Sequence, residues 1–365
     1  MTARPIVHES RRRPVRIAVA LVLLLAMVMA AGCIDEDYIT ATPPSTSTAV
    51  TFTGNPTGGN APPGWDSYRN IVITNPSPVS GYEAFMNLTW LPGMKSNFND
   101  IRFTALDSTT LLPYYIESKS DGKFAHVWIA LPANANTIRV FYNNSAATSA
   151  SDANQVFMVY DTFDGTSLDT TKWTTDGTPA LSVSGSVLTM TGKQYAVSGI
   201  RTIQSFSFPL VIETREASYW GGGFNSGYFK YGWMNNPGST TVTGYYNGVT
   251  SSNQAYNEFG ITNGASAQSA LTALQKPGNI VVNAGSPIVT SAITYKKLAL
   301  IYASGNIRAM LDGVQLGSTS TSAIPAGSAP IGFACAKTEF APSNLHLDWV
   351  RVRHYAATEP TLLLS

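Results

Sequence analysis

Charge is what this sequence has least of. Lys, Arg, Asp and Glu make up 12% of its 365 residues, against roughly 25% in an ordinary soluble protein. The formal net charge is +1, so no strong field draws in nucleic acid or an acidic partner. Cysteine is nearly absent. Cys33 and Cys335 are the only two, which excludes a disulfide framework and leaves stability to packing. Histidine is scarce as well: His126, His346 and His354 stand on separate strand-like runs, without metal-ligand spacing. No nucleophile elbow and no phosphate-cradling glycine loop occurs. No stretch beyond Trp65 joins helical caps to a 3.6-residue period, so a helical body is excluded too.

Aromatic residues and period-two alternation are abundant, with 17 Tyr, 15 Phe and 7 Trp. Runs such as Tyr68–Thr74, Ala84–Leu91, Ile101–Ala105, Leu112–Glu117, Ala125–Leu131 and Thr137–Tyr142 alternate apolar and polar side chains. They are bounded by Asn75-Pro76 and by the Asp121-Gly122 hairpin signal. A second series follows, at 180–190, Pro209–Ala217, Leu298–Tyr302, Ile307–Leu311, Pro330–Ala336 and Leu345–Tyr355, with Asp312-Gly313 as another hairpin turn. The pattern predicts an all-β protein of two antiparallel sandwiches, the second a jelly roll or a relative of one, following an N-terminal signal or anchor helix. The expected divisions are 1–33 as a signal peptide, 34–63 as a linker, 64–156 and 157–357 as sandwiches, and 358–365 as a tail.

The single long apolar run, Ile17–Met29, follows Arg11, Arg12, Arg13 and Arg16 and ends at Ala30-Ala31-Gly32-Cys33. That is the layout of an export signal. Small residues directly before a cysteine resemble a lipobox, which makes Cys33 the expected lipidation site. An uncleaved anchor and plain cleavage remain alternatives. Every one of these readings places the mature chain outside the cytoplasmic membrane, held to it by lipid or helix. The Pro-, Ser-, Thr- and Gly-rich stretch after it is a spacer by composition.

Tyr68-Arg69, Asn99-Asp100-Ile101-Arg102-Phe103, Leu112-Pro113-Tyr114-Tyr115-Ile116-Glu117, Val127-Trp128-Ile129 and Val140-Phe141-Tyr142-Asn143 together resemble the domain of unknown function DUF2341, over about 64–150. The resemblance implies a β-fold in exported surface proteins and no particular reaction. Phe163-Asp164-Gly165, Lys172-Trp173, Asp312-Gly313 and Leu347-Asp348-Trp349-Val350-Arg351 resemble the concanavalin A-like lectin and glucanase superfamily. In related sandwich glucanases the Asp of an Asp-Trp-Val strand helps to hold a structural calcium. The resemblance thus offers Asp348 as a calcium ligand, and an ion pair with an arginine is the alternative. No cofactor is otherwise required.

A retaining glycosidase needs two carboxylates about 5–5.5 Å apart, and on a strand only positions i and i+2 share a face. Glu213 and Glu216 are three apart, so no acid pair is expected and the chain reads as a non-enzyme. A divergent glycoside hydrolase is kept as an alternative. The aromatic segment at 219–246 is either core or a sugar platform, since flat rings and polar edges complement pyranosides. Trp220, Tyr231, Trp233 and Tyr246 are the candidate ligand-binding residues. The expected function is binding or adhesion toward a glycan or surface protein at the cell exterior, with a structural spacer as the other reading. Two sequons, at Asn87 and Asn143, are candidate glycosylation sites. Asp100, Arg102, Glu117 and Lys119 are expected to serve structure, and Cys335 to be a buried, inert thiol.

Overall fold

The computed structural model describes residues 62–194, 198–220, 227–234, 254–261, 271–274, 280–283, 289–290, 293–303, 306–320, 327–337 and 343–365. The stretch expected to be a signal segment, with Cys33, nearly all of the expected spacer, and Tyr246 lie outside the described residues. No described helix is long and apolar enough to cross a membrane.

The first sandwich is built from β1 (Ser67–Thr74), β2 (Tyr82–Thr89), β3 (Arg102–Thr104), β4 (Leu111–Leu112), β5 (Tyr114–Ser120), β6 (Phe124–Leu131) and β7 (Thr137–Tyr142). Alternation dictates which face each strand buries. Along β1, Ile71 and Ile73 are buried between less buried neighbours; along β2, Met86 and Leu88 are. Gly122 takes the left-handed φ of 68° that the β5–β6 hairpin turn requires. The two sheets run β2-β6-β5 and β1-β7-β3-β4. They enclose a core of Ile71, Phe98, Phe103, Val127, Ile129, Ile138 and their neighbours. A one-turn helix, α1 (Ala153–Val156), capped by the Asp152 side chain, leads out of it.

The second sandwich begins with β8 (Val159–Asp161), β9 (Trp173–Asp176), β10 (Ala180–Val183), β11 (Leu188–Thr191), β12 (Lys193–Gln194), β13 (Ser198–Ser207) and β14 (Leu210–Trp220). It continues through β15 (Gly227–Met234), β16 (Gln254–Ile261), β17 (Leu271–Leu274), β18 (Ile280–Asn283), β19 (Val289–Thr290) and β20 (Lys296–Ala303). The last strands are β21 (Asn306–Leu311), β22 (Val314–Ser320), β23 (Ser328–Lys337), β24 (Ser343–His354) and β25 (Thr361–Leu364). The larger sheet follows β10-β11-β24-β14-β20-β21-β22, joined by β8 and β19, and the smaller follows β16-β15-β23-β13-β9, joined by β12. Leu210, Ile212, Leu298, Leu345, Leu347, Val350, Ile331 and Phe333 point between them as a second core. The chain is thus nearly all β, and its sheets are antiparallel except for the short β12–β23 and β14–β19 pairs, which are parallel.

β24, the last alternating run of the second series, lies in the middle of the larger sheet, between β11 and β14. The stretch 163–172 is a loop. Asp161 fixes it: its carboxylate accepts from Phe163 N at 2.7 Å and from Trp173 Nε1 at 2.7 Å. Trp173, 1% exposed, then anchors the edge strand β9 in the core. The tail also holds a strand. β25 pairs antiparallel with β1, Leu362 opposite Ile73, and Leu362 enters the first core. The first sandwich is therefore completed by residues that follow the second, and both sandwiches belong to one compact unit.

Candidate functional site

The densest polar chemistry lies where the sandwiches meet. On β14, Leu210 and Ile212 face the core, so Val211, Glu213 and Arg215 take the outward face. On β24, Val350 and Val352 face the core, which turns Arg351 and Arg353 outward beside Glu213. Arg351 is 1% exposed. Its Nε donates to Glu213 Oε2 at 2.5 Å, and its Nη1 to Glu117 Oε1 at 2.6 Å, on β5 of the first sandwich. Its guanidinium lies over the rings of Trp128 (4.5 Å), Trp349 (5.1 Å) and Phe157 (5.4 Å). Stacking suits the weakly hydrated, planar guanidinium better than it would an ammonium. Trp128 Nε1 donates to the other Glu117 oxygen at 3.0 Å. Tyr115 and Tyr160 extend the seam with hydroxyls 2.7 Å apart.

Burial alone would raise the Glu213 pKa. Arg351, Arg353 and Lys297 outweigh it and hold the carboxyl well below the ordinary glutamate range. Arg353 Nη1 reaches Glu359 at 2.9 Å, and Glu359 takes the Tyr82 hydroxyl. Glu83 accepts from both the backbone N–H (2.9 Å) and Nδ1 (3.0 Å) of His354. Charges from β2, β5, β14, β24 and the C-terminal segment thus interlock across the seam.

Glu213 and Glu216 stand apart, as their spacing requires. Glu213 meets the arginines on the outward face; Glu216, opposite Leu347, sits at an inward position and is fully buried. A bulge at this point lets β24 spend an extra residue, Asp348, opposite the Arg215–Glu216 step. Asp348 pairs with Arg215 Nη1, and that guanidinium covers the Tyr295 ring at 4.8 Å. A calcium ion at Asp348 would have to displace this arginine. Among the described residues, no three His, Cys, Asp or Glu side chains gather as metal ligands.

The aromatic candidates fall at defined register positions. Tyr231 is opposite Phe333, and Trp233 opposite Ile331, both core residues of β23. Trp220 is opposite Ser343, in phase with Leu345 and Leu347. These three positions share the inward parity of their sheets. The outward positions of the smaller sheet include Tyr228, Lys230, Tyr256 and Glu258. Between them and Arg201 runs a strip of small residues: Gly232 lies directly opposite Gly332, and Gly199 opposite Ala334. On the far side Arg201 pairs with Asp176 at 2.9 Å.

The remaining expected sites are well defined. Asn87 is exposed on β2; Asn143 is exposed after β7 with φ 67°. Asp100 is fully buried and accepts from Lys95 N and Asn143 N, both at 2.9 Å, which is a structural role. Arg102 donates to the Ile101 and Thr148 carbonyls and lies 5.0 Å over Trp65. Lys119 pairs with Asp121. Cys335 is buried, and burial pushes its thiol up to about 12. Sequence reasoning missed Arg351, Arg353 and Trp128 as partners. Their only sequence signal is a pair of arginines at i and i+2 on an otherwise apolar strand.

Residues 97–176 match the family described as Domain of unknown function (DUF2341). The match begins later than 64 and ends later than 150. It takes in Glu117, Trp128, Phe157 and Tyr160 of the seam, together with Asp161 and Trp173 of the second sandwich. No curated protein matches the sequence. Among solved structures, the chain is similar to an endo-β-1,3-glucanase from Pyrococcus furiosus, at 14% identity over 57% of this chain and 95% of that one, with a TM-score of 0.39. It is similar to LamAcat from Zobellia galactanivorans, at 13% identity over 54% and 97%, with a TM-score of 0.42. It is also similar to the Emp47p carbohydrate recognition domain, at 13% identity over 57% and 100%, with a TM-score of 0.42.

Proposed function

We propose that this chain is an exported, membrane-tethered binding protein whose second sandwich recognises a glycan or a surface partner. The observation that carries the reading is the outward face of the smaller sheet. There Gly232 and Gly332 are opposed, with Arg201–Asp176 on one side and the positions of Lys230, Tyr256 and Glu258 on the other. Glycine on adjacent strands lets a ligand approach the backbone. Aromatic and charged positions flanking such a floor suit a sugar's apolar faces and hydroxyl edges. The N-terminal export pattern supports the location. Tyr256 and Arg201 are the candidate contacts in this reading; Trp220, Tyr231 and Trp233 hold inward register positions and do not belong to this face, and Tyr246 lies outside the described residues.

No hydrolytic role is assigned to Glu213 and Glu216, which take opposite faces of β14, the first of them held by two arginines. A glycan array probed with the full-length chain tests the proposal. Specific, competable binding that is lost in Arg201→Ala or Tyr256→Ala, with melting temperature retained, supports it. Silence across the array favours the structural spacer, a reading that the interlocked seam also suits.

A further inference from the structure

The first sandwich carries an open apolar surface on the sheet β25-β1-β7-β3-β4. Ile71, Ile73 and Ile138 point into the core, so Val72 and Thr137 point out. Val72 lies opposite Leu363 on one side and opposite Thr137 on the other. β3 pairs with β7 as far as Thr104 opposite Arg139, and that register carried two residues further sets Leu106 level with Thr137. Leu363, Val72, Thr137 and Leu106 therefore form one row straight across the sheet. Its three apolar members, Leu363, Val72 and Leu106, are 56%, 40% and 55% exposed. The row opens at one point. Ile73 N donates to Asn136 O, so the even-numbered residues of β7 bond toward β1 and the odd-numbered ones toward β3. Thr137 thus turns its backbone N–H and C=O toward Leu106, and among the described residues no hydrogen bond joins the two. A pocket of about 300 Å³ lies here, lined by Ala105, Leu106, Pro132, Ala133, Ala135 and Thr137 among others.

The chemistry of the row narrows its occupant. Lipid chains would leave the Thr137 N–H and C=O without partners, which is costly. The row's aliphatic side chains offer a sugar no flat ring. The charges beside it are already engaged: Arg139 donates to Asn70 at 3.3 Å and to Ser108, and Asp107 accepts from Thr109 N and Thr110 N. The remaining class is an uncharged extended peptide, whose amide groups match the open backbone pair. The spacing agrees as well. Neighbouring strands lie about 4.8 Å apart, so the pocket between Thr137 and Leu106 is roughly 7 Å from Val72. Same-face side chains of an extended peptide repeat at roughly 6.6–6.8 Å. A peptide crossing the strands with its residue i in the pocket would then set i+2 on Val72 and i+4 near Leu363.

We propose that this row and pocket dock an uncharged extended segment of a partner protein, with apolar side chains at alternate positions and the first of them in the pocket. The site lies on the first sandwich and does not depend on the glycine strip of the second. Fluorescence anisotropy of the full-length chain tests it, with the labelled hexapeptide Lys-Phe-Thr-Val-Thr-Leu as probe. The control is Lys-Phe-Thr-Thr-Val-Leu, of equal composition but with no apolar pair at i and i+2. The expected result is saturable binding of the first peptide, with a Kd of roughly 0.1–1 mM, and at least tenfold weaker binding of the control. Ala133 is exposed, so Ala133→Phe should plug the pocket and abolish binding with melting temperature retained. Leu106→Ser and Val72→Thr, both at exposed positions, should each weaken binding about tenfold. Arg201→Ala should leave it unchanged, which separates this site from the glycine-strip face. Equal binding of the two peptides, or binding that survives Ala133→Phe, would overturn the proposal. So would binding that appears only once residues 45–55 are deleted, which would give the site to the chain's own spacer. A dimer that Leu106→Ser dissociates, without peptide binding, would give it to a second copy and overturn the proposal equally, as would binding to phosphatidylcholine vesicles in place of the peptide.

Discussion

Glu117 and Arg351, 234 residues apart in sequence, meet at 2.6 Å. The first belongs to β5 of one sandwich and the second to β24 of the other. With Glu213 they form a three-membered ion cluster roofed by Trp128, Phe157 and Trp349. A buried guanidinium tolerates removal of a partner poorly, because a desolvated charge is then left uncompensated.

Glu213→Ala should therefore destabilise the protein by about 3–5 kcal/mol, measured by urea unfolding. Glu117→Gln should cost less, because Glu117 is 24% exposed and water covers part of the loss. The triple variant Glu117→Gln, Glu213→Gln, Arg351→Met should recover part of the stability, since Arg351 is no longer left uncompensated and Arg353 keeps Glu359, while Lys297 loses the Glu213 charge beside it. A triple variant weaker than Glu213→Ala alone would contradict this account of the seam.

The same cluster sets a pH dependence. Glu213 has a folded-state pKa below its unfolded value. Its contribution is then present in full above the unfolded glutamate range and is lost as pH falls toward the folded value. Thermal stability should decline from about pH 5 downward, and Glu213→Gln should flatten that decline. Equal slopes in the two proteins would remove Glu213 from the explanation.

Cys335 should be chemically silent in the native protein. It is 1% exposed, with its thiol pushed up to about 12, and the thiolate is the reactive form. In a Cys33→Ser background, a thiol reagent at pH 8 should give no colour until denaturant is added. Stoichiometric native labelling would show that β23 opens readily.

Leu362 tests the return of the chain to the first sandwich. Its side chain is 8% exposed in that core, opposite Ile73. Leu362→Ala should cost about 2–4 kcal/mol by the usual penalty for a core truncation. Leu363→Ala, on the same strand but 56% exposed, should be nearly neutral. Similar effects at both positions would mean that β25 does not bury one face.

Strand existence was legible because alternation is a local signal. The run Thr137–Tyr142 reads directly from its period, and so does the 121–122 turn from Asp-Gly. β8 and β9 were not legible: they are short, and their burial depends on Asp161 reaching Trp173. β25 looked like a tail because four residues carry little pattern until Leu362 finds Ile73. The separation of Glu213 from Glu216 was read correctly, because strand geometry fixes which residues share a face.

The sequence by itself determined the strand-forming pattern, the low charge and the three-residue spacing that puts Glu213 and Glu216 on opposite faces. All of these depend on neighbours a few residues apart. Tertiary structure alone decided that Arg351 joins Glu117 to Glu213, that Asp348 meets Arg215 at a bulge, and that Leu362 returns to the first core. Those relations depend on which strands come side by side, and pairing between distant strands leaves no mark on the local period of either one.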